Sequence, residues 1–264
     1  EHHLPMVSAM SSAFRMDAYE KRLALEKDGI FQSIIWRSVG SEFHGGRVVD
    51  VDSPISEPRT LYICYATGGL WRTEDDGITW ESLFDQQSSF AIGDLAVTAD
   101  GQTLWLGTGE NNSARTHYSG TGVFKSTDRG KSWANMGLAE THRIGRIVID
   151  PKNTETVFVA ASGALYSESH DRGVYKTTNG GKTWRKVLGS NEWAGGIDLV
   201  MKPGDSKVLY ATMWARDRRS WNILEAGPGG GVYKSTDAGE NWTLFKELPN
   251  GDVAGRAHSS HVAG

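Results

Sequence analysis

Three segments concentrate residue types able to bind or transform a polar ligand: GENNSARTHYSG (109–120), GALYSESHDRG (163–173) and WARDRRSWNILEAGPGG (214–230). With GSNEWAGG (189–196) they supply the carboxylates Glu110, Glu168, Asp171, Glu192 and Asp217, the cations Arg115, Arg172, Arg216, Arg218 and Arg219, the histidines His117 and His170, and the rings of Tyr118, Trp193 and Trp221. Such a set suits a sugar, whose faces stack on indole rings while its hydroxyls bond to charged groups. WARDRRSW is the densest stretch, with three arginines and two tryptophans in eight residues, more than solubility requires. The candidate ligand-binding residues are therefore Glu110, Arg115, His117, Tyr118, Asp171, Arg172, Trp193, Arg216, Asp217, Arg219 and Trp221. Glycoside hydrolysis would further need two carboxylates about 5 Å apart for retention, or about 6.5 to 9.5 Å apart for inversion. Spacing along a chain does not contain that distance, so no catalytic residue is assigned. The plain alternative is that each charged residue is solvated, or orders its own loop in an Arg–carboxylate pair.

Metal and thiol chemistry find little support. The eight histidines are scattered, and His258 with His261, the close pair beyond adjacent His2 and His3, lacks further ligands. Cys64 stands alone in LYICYAT, as a small buried hydrophobe would. No cofactor is expected.

The elements that must position these segments are repeats. TEDDGITW (73–80), STDRGKSW (126–133), TTNGGKTW (177–184) and STDAGENW (235–242) fit one pattern, hydroxyl-x-Asp-x-Gly-x-x-Trp, with Asn179 the departure at the acidic position. Their tryptophans are 53, 51 and 58 residues apart, a period that matches one four-stranded propeller blade. Before each pattern lie two short β-branched and aromatic runs, such as RVVDVD and TLYICYAT, and then a third strand: GLWRTE, GVFKST, GVYKTT or GVYKST. The tryptophan opens a fourth strand.

The pattern is then the hairpin between third and fourth strands. Asp75, Asp128, Asn179 and Asp237 accept hydrogen bonds from turn amides. Gly77, Gly130, Gly181 and Gly239 supply positive φ. Trp80, Trp133, Trp184 and Trp242 fill space between blades, each truncation to Ala costing about 3 to 5 kcal/mol. The sequence is thus read as all-β, a β-propeller with four complete four-stranded blades.

These hairpins resemble the Asp-box, or bacterial neuraminidase repeat, of sialidases, xyloglucanase-type glycoside hydrolases and the sortilin ectodomain. WRSVGSEFHGGRV, LGTGENN, DRGVYKTTNGGKTW and GPGGGVYKSTDAG are more closely similar to the large bacterial sortilin-like, glycosyl-hydrolase-like exported proteins. The resemblance implies a secreted, periplasmic or cell-surface propeller, with these blades forming part of a seven-bladed ring; a closed four-bladed ring is the alternative. It leaves three functions open: a binding or scaffold module for a glycan, peptide or partner protein, a carbohydrate-active hydrolase, and an assembly factor. Sialidase chemistry is disfavoured, because the Phe-Arg-Ile-Pro element that precedes sialidase boxes is absent.

Residues 1–30 read as an extension with one helix, 12–28, capped by Ser12, with Asp17 early, Lys27 late and Met16, Tyr19 and Leu23 on one face. The blades occupy 31–250. QSIIWRSVG (32–40) resembles an extra fourth strand with Trp36 in the tryptophan position, and 251–264 opens a further repeat or a tail. A formal charge of −4 offers no basic stripe for phosphate neutralisation, which excludes an electrostatic nucleic-acid binder. No stretch approaches the roughly 20 apolar residues of a membrane-spanning helix.

Overall fold

The computed structural model describes residues 8–29, 46–111, 118–189, 191–219 and 221–245. The extra strand around Trp36, the segment 251–264, and Arg115 and His117 lie outside them.

Four antiparallel sheets follow one another along the chain, each a meander of four strands. The first comprises β1 (Val48–Asp52), β2 (Leu61–Tyr65), β3 (Gly69–Thr73) and β4 (Glu81–Ser82). The second has β5 (Ile92–Val97), β6 (Leu104–Thr108), β7 (Val123–Ser126) and β8 (Ala134–Asn135), and the third β9 (Ile144–Ile149), β10 (Val157–Ala161), β11 (Gly173–Thr177) and β12 (Arg185–Leu188). The fourth is β13 (Ala194–Met201), β14 (Leu209–Ala215), β17 (Gly231–Ser235) and β18 (Thr243–Leu244), with a separate hairpin of β15 (Asp217–Arg218) and β16 (Ile223–Leu224) inserted after β14.

The core consists of three layers, each between successive blades. Tyr62, Cys64, Leu70 and Phe84 of blade one meet Leu95, Leu104, Leu106 and Phe124 of blade two. In β10, Val157, Val159 and Ala161 face blade two while Phe158 and Ala160 face blade four. Because side chains alternate across a strand, a sheet covered on both sides must be apolar at every position, which is why β6 and β10 read as unbroken apolar runs. The tryptophan hairpins close these layers. Trp133 sits edge-on to Phe84 at 5.1 Å and donates to Leu83 O of the preceding blade at 2.9 Å. Trp184 does the same with Trp105 at 6.0 Å and Met136 O at 2.8 Å.

Two further staples cross between blades. A charged residue recurs at one register of each innermost strand: Asp50, Asp94, Arg146 and Asp198, opposite Cys64, Gly107, Ala160 and Thr212. Asp50 accepts from Leu95 N and Asp94 from Ile147 N, so each carboxylate ties its strand to the next. Arg146 bonds both Asp94 (3.0 Å) and Asp198 (2.9 Å), and their carboxylates hold its guanidinium firmly protonated. The second staple is the cation of the third strand. Arg72 donates to Arg129 O, and Lys176 to Ala238 O, each in the next blade's hairpin.

The helix α1 (Ser12–Asp28) forms as expected, but its cap differs. Ser11, not Ser12, accepts from Phe14 N, and Asp17 lies beyond the first turn, where it pairs with Lys21. Ser12 instead donates its amide to Glu140 at 2.9 Å. Arg15 reaches His142, while Tyr19 and Arg22 both donate to Gln86 O. The helix therefore clasps the connections leading into β5 and β9.

Candidate functional site

Chain direction alone divides the blades into two ends. The repeat hairpins lie at one. The connections between second and third strands, and between blades, lie at the other, and these hold the candidate ligand-binding residues.

At the hairpin end the chemistry is internal. Asp75 accepts from Thr79 N (2.8 Å), Thr79 Oγ1 (2.7 Å) and Thr73 Oγ1 (2.8 Å), and Thr73 Oγ1 accepts from Gly77 N (2.8 Å). Asp128 and Asp237 repeat the set, and Asn179 reproduces it with its amide group donating to Thr183 Oγ1. Hydrogen bonds to the charged form, chiefly from residue i+4, hold the Asp75, Asp128 and Asp237 carboxyls down at about 2. Every acceptor here serves its own turn, which leaves none aimed at a ligand.

The opposite end is irregular. In the β6–β7 connection Gly109, at φ 92°, passes so close to His142 that an added Cβ would lie 2.0 Å from its carbonyl oxygen. His142 itself is held at φ 58°, ψ −40°, a region that costs a non-glycine residue energy. Its ring contacts Arg15 and Ser119 Oγ; burial, then the charges of Arg15 and Arg143, push its pKa down to about 4. Glu110 is fully buried against the Arg47 guanidinium, and Tyr118 is exposed beside a cavity of about 350 Å³ also lined by Ser88 to Ala91.

Around blades three and four, three arginines converge in the interior. Arg143, Arg172 and Arg216 are 2%, 2% and 5% exposed. Arg143 donates to Gly163 O; Arg172 donates to Trp193 O (3.0 Å), Ala164 O (2.6 Å) and Ser167 O (3.0 Å). These bonds shape the 163–172 loop. Burial, followed by the neighbouring Arg216 and Arg172 charges, pushes Arg143 well down, and burial with Arg216 brings Arg172 to about 10. The Trp193 ring lies within cation–π reach of Arg172 (5.9 Å) and Arg219 (5.7 Å), and Arg216 stacks on Trp214 at 4.5 Å. Arg219 also pairs with Asp217 at 2.9 Å.

Arg216, Asp217, Trp193, Asn191 and Leu224 line a cleft of about 360 Å³. The β15–β16 hairpin forms one of its walls and carries Trp221, 69% exposed, at the tip. A larger groove, about 490 Å³, opens between the inner strands of blades three and four toward the hairpin end. Its walls carry Arg146 and Asp198, which bond each other, with Lys152 and Lys202 at its rim, and none of the candidate ligand-binding residues lines it.

The structure thus brings Arg172, Trp193, Arg216, Asp217 and Arg219 together, with Trp221 on the same hairpin. Asp171 lies at the entrance to β11, its carbonyl accepting from Tyr175 OH. Glu110 and Tyr118 belong to a separate part of the face, by blades one and two. Arg216 and Arg172 are interior rather than solvated, and WARDRRSW is partly strand: β14 runs through Trp214 and Ala215. The connection 189–196 likewise ends in strand from Ala194. Sequence reasoning passed over Arg143, which sits in THRIG just outside the long loops; its signal is a cation at the entrance to a first strand, as Arg47 is at the entrance to β1.

Four meanders packed face to face, each closed by a hairpin of one pattern, define part of a β-propeller. The Sortilin-Vps10 family (sortilin, neurotensin receptor 3) matches residues 121–254, half of the chain, and the chain belongs to that family. Among characterised relatives, xyloglucanase Xgh74A of Acetivibrio thermocellus is 24% identical over 218 residues, covering 71% of this chain and 24% of its own length. A xyloglucanase of Paenibacillus sp. is 22% identical over 246 residues, covering 82% and 22%. The chain spans about a quarter of the length of these relatives. An ancestral GH74 enzyme superposes with a TM-score of 0.62 at 20% identity over 83% of this chain and 26% of that one, and the GH74 enzyme of Niastella koreensis with 0.53 at 20% over 77% and 30%. The shared feature is the propeller fold. No helix of the described residues is long and apolar enough to cross a membrane.

Proposed function

We propose that this chain is a binding module of an exported, glycosyl-hydrolase-like propeller that recognises a glycan through its loop-bearing end. The observation that carries this reading is the cleft at the β15–β16 hairpin, where Arg216, Asp217 and Trp193 converge beside an exposed Trp221. Indole faces and fixed charged donors are what a hydroxyl-rich ligand needs, and both sit on rigid strands at their roots. The relatives support a carbohydrate, since their names say that they act on xyloglucan. Two carboxylates of this end are engaged with cations, Glu110 with Arg47 and Asp217 with Arg219, and Glu192 lies 3.4 Å from His170 Nδ1. That favours binding over hydrolysis.

Hydrolysis is the second reading, and the same relatives motivate it. It predicts that Asp217→Asn or Glu192→Gln abolishes release of reducing ends from a polysaccharide. The binding reading predicts affinity for oligosaccharides without their cleavage, measured by a glycan array beside a chromogenic glycoside screen. If Trp221→Ala and Arg219→Ala leave every detected glycan affinity unchanged, the assignment to this cleft is wrong.

A further inference from the structure

We infer that the face of blade four turned away from blade three docks a second copy of this chain. The second copy enters with its blade one, the Gly77 turn seated on Tyr210 and Phe245 and the Asp76 carbonyl accepting from Lys234. The ligand cleft plays no part in this contact.

The first three blades present one kind of seat to the blade that follows. It pairs an aromatic ring on the second strand with a cation opposite it on the third: Tyr62 with Arg72, Trp105 with Lys125, Phe158 with Lys176. All three rings are fully buried, and each cation reaches the next hairpin. Arg72 donates to Arg129 O and Lys176 to Ala238 O, while the Lys125 ammonium stands 3.0 Å from where a Cβ on Gly180 would lie. The hairpin glycines complete the fit, since an added Cβ at Gly181 or Gly239 would strike the Trp105 or Phe158 ring. A residue without a side chain lets the turn approach the ring, and the cation then satisfies a carbonyl that the approach takes out of water.

Blade four carries the same seat. Tyr210 and Lys234 are opposite each other in β14 and β17, and the Lys234 ammonium lies 5.5 Å from the Tyr210 ring centre, as that of Lys176 does from Phe158. Phe245 holds the position of Leu83 and Met136, bonding back to the third strand as they do, and it stands edge-on to Tyr210 at 6.3 Å. Leu83 and Met136 each give their carbonyl to the tryptophan of the next blade. Tyr210 is half-buried where its three counterparts have no exposure, so among the described residues no hairpin fills this seat.

Blade one carries the matching insert. Asp76 and Gly77 have φ 59° and 89°, close to the values of Arg129 with Gly130 and of Ala238 with Gly239 in their seats. The three atoms nearest to an added Cβ at Gly77 belong to its own Trp80, whereas Gly130, Gly181 and Gly239 each meet a residue of the preceding blade. Behind the turn, Val51, Ile63 and Trp71 form one cross-strand row at the register of Leu95, Leu106 and Phe124, the row that blade two packs against blade one. Val51 is 52% exposed and Leu95 3%. Covering such an apolar row is favourable, and the layer it would form repeats the three already present within the chain.

Seat and insert are different surfaces, so the contact is heterologous. Copies joined this way close into a ring or run on as a filament, and two four-bladed copies would close at eight blades, within the range of roughly four to eight typical of propellers.

The test is sedimentation equilibrium of the full chain from about 1 to about 200 μM, beside Lys234→Glu, which spoils the seat, and Val51→Asp, which spoils the insert. The expected result for the unaltered chain is a rise with concentration from 28.9 kDa to twice that mass. Either variant alone, with an unchanged circular dichroism spectrum, should weaken self-association by at least about tenfold. Mixing the two variants should restore a dimer, because each still offers one intact face to the other; an interface of two identical patches would gain nothing by mixing. A monomer at every concentration leaves both faces to some other blade and overturns the proposal without recourse to any variant. A dimer indifferent to both substitutions is held by another surface and overturns it too, as does a mixture that stays monomeric.

Discussion

At the hairpin end, Asp75, Asp128, Asn179 and Asp237 make the same hydrogen bonds in four successive blades. At the loop end no two blades present the same groups. Blade one has a three-residue connection between β2 and β3, blade two buries Glu110, blade three wraps its loop around Arg172, and blade four grows an extra hairpin. The strands are common to both ends, so the difference lies in what each turn does. A turn that closes a hairpin and seals an inter-blade layer has one good solution, and repetition preserves it. A turn that faces outward is free to vary, provided its backbone polar groups find partners. Invariance therefore marks the scaffold, and irregularity marks where recognition is to be sought.

The largest expected effect breaks the equivalence of the hairpins themselves. An added Cβ at Gly181 would meet the Trp105 ring at 2.7 Å, and at Gly239 the Phe158 ring at 2.6 Å, whereas at Gly77 the nearest atom is in its own Trp80 at 3.6 Å. All three have φ near +80° to +90°. Gly181→Val should then destabilise by at least about 3 kcal/mol, through strain plus overpacking, and Gly77→Ala by about 1 to 2 kcal/mol, through strain alone. Urea unfolding of both variants tests it; equal losses would show that the inter-blade contact is worth nothing.

Next in size is the tryptophan. Trp184→Ala removes the contact with Trp105 and the bond to Met136 O, with an expected cost of about 3 to 5 kcal/mol. Trp242 donates to Gly239 O of its own turn at 3.1 Å, and Trp242→Ala should cost less, about 1 to 3 kcal/mol. Thermal unfolding resolves the two.

At the loop end, Arg172→Ala leaves three carbonyls short of a donor, yet it also relieves Arg143 and Arg216 of a like charge. A net loss of about 1 to 3 kcal/mol is expected, together with weakened glycan binding, whereas the hairpin variants, at equal stability, should bind normally. Parallel calorimetry and unfolding would sharpen the division between the two ends, or erase it if hairpin variants bind worse.

The smallest effects are titrations, and they fall in different windows. The folded turn carboxyls sit near 2, below their ordinary 3.8, so their contribution is complete above about pH 4 and fades as pH falls toward 2. Asp128→Asn, mimicking Asn179, should flatten that acid limb. His142 is depressed from 6.5 to about 4, so burying it neutral is favoured above pH 6.5 and increasingly opposed from 6.5 down to 4, where its proton faces Arg15 and Arg143. A drop of a few degrees in Tm over that interval, absent in His142→Gln, is the expected readout.

How much of this was legible in the sequence differs by element. The hairpins were, down to the acceptor role of the acidic position, because turn chemistry is local and is repeated four times. The helix was legible in extent, but its cap was displaced by one residue: Ser12 is drawn to Glu140, some 128 positions away, which no local rule contains. The innermost charges Asp50, Asp94, Arg146 and Asp198 repeat at one register and were open to detection, yet a lone charge in an apolar run reads as solvent-facing until the neighbouring strand is known. The β15–β16 hairpin carries no Asn-Gly or Asp-Gly turn signal and read as loop.

The sequence by itself determined the number of complete blades, the chemistry of their hairpins and the segments left free to vary, because all three depend on residues within one repeat. Only the tertiary structure decided that Arg172 and Arg216 point inward, that Arg143 joins them, two arginines of blade three meeting one of blade four, and that Arg216 of the three stands in the cleft wall. Electrostatic crowding depends on distance through space, and residues 143, 172 and 216 become neighbours only when two blades stack.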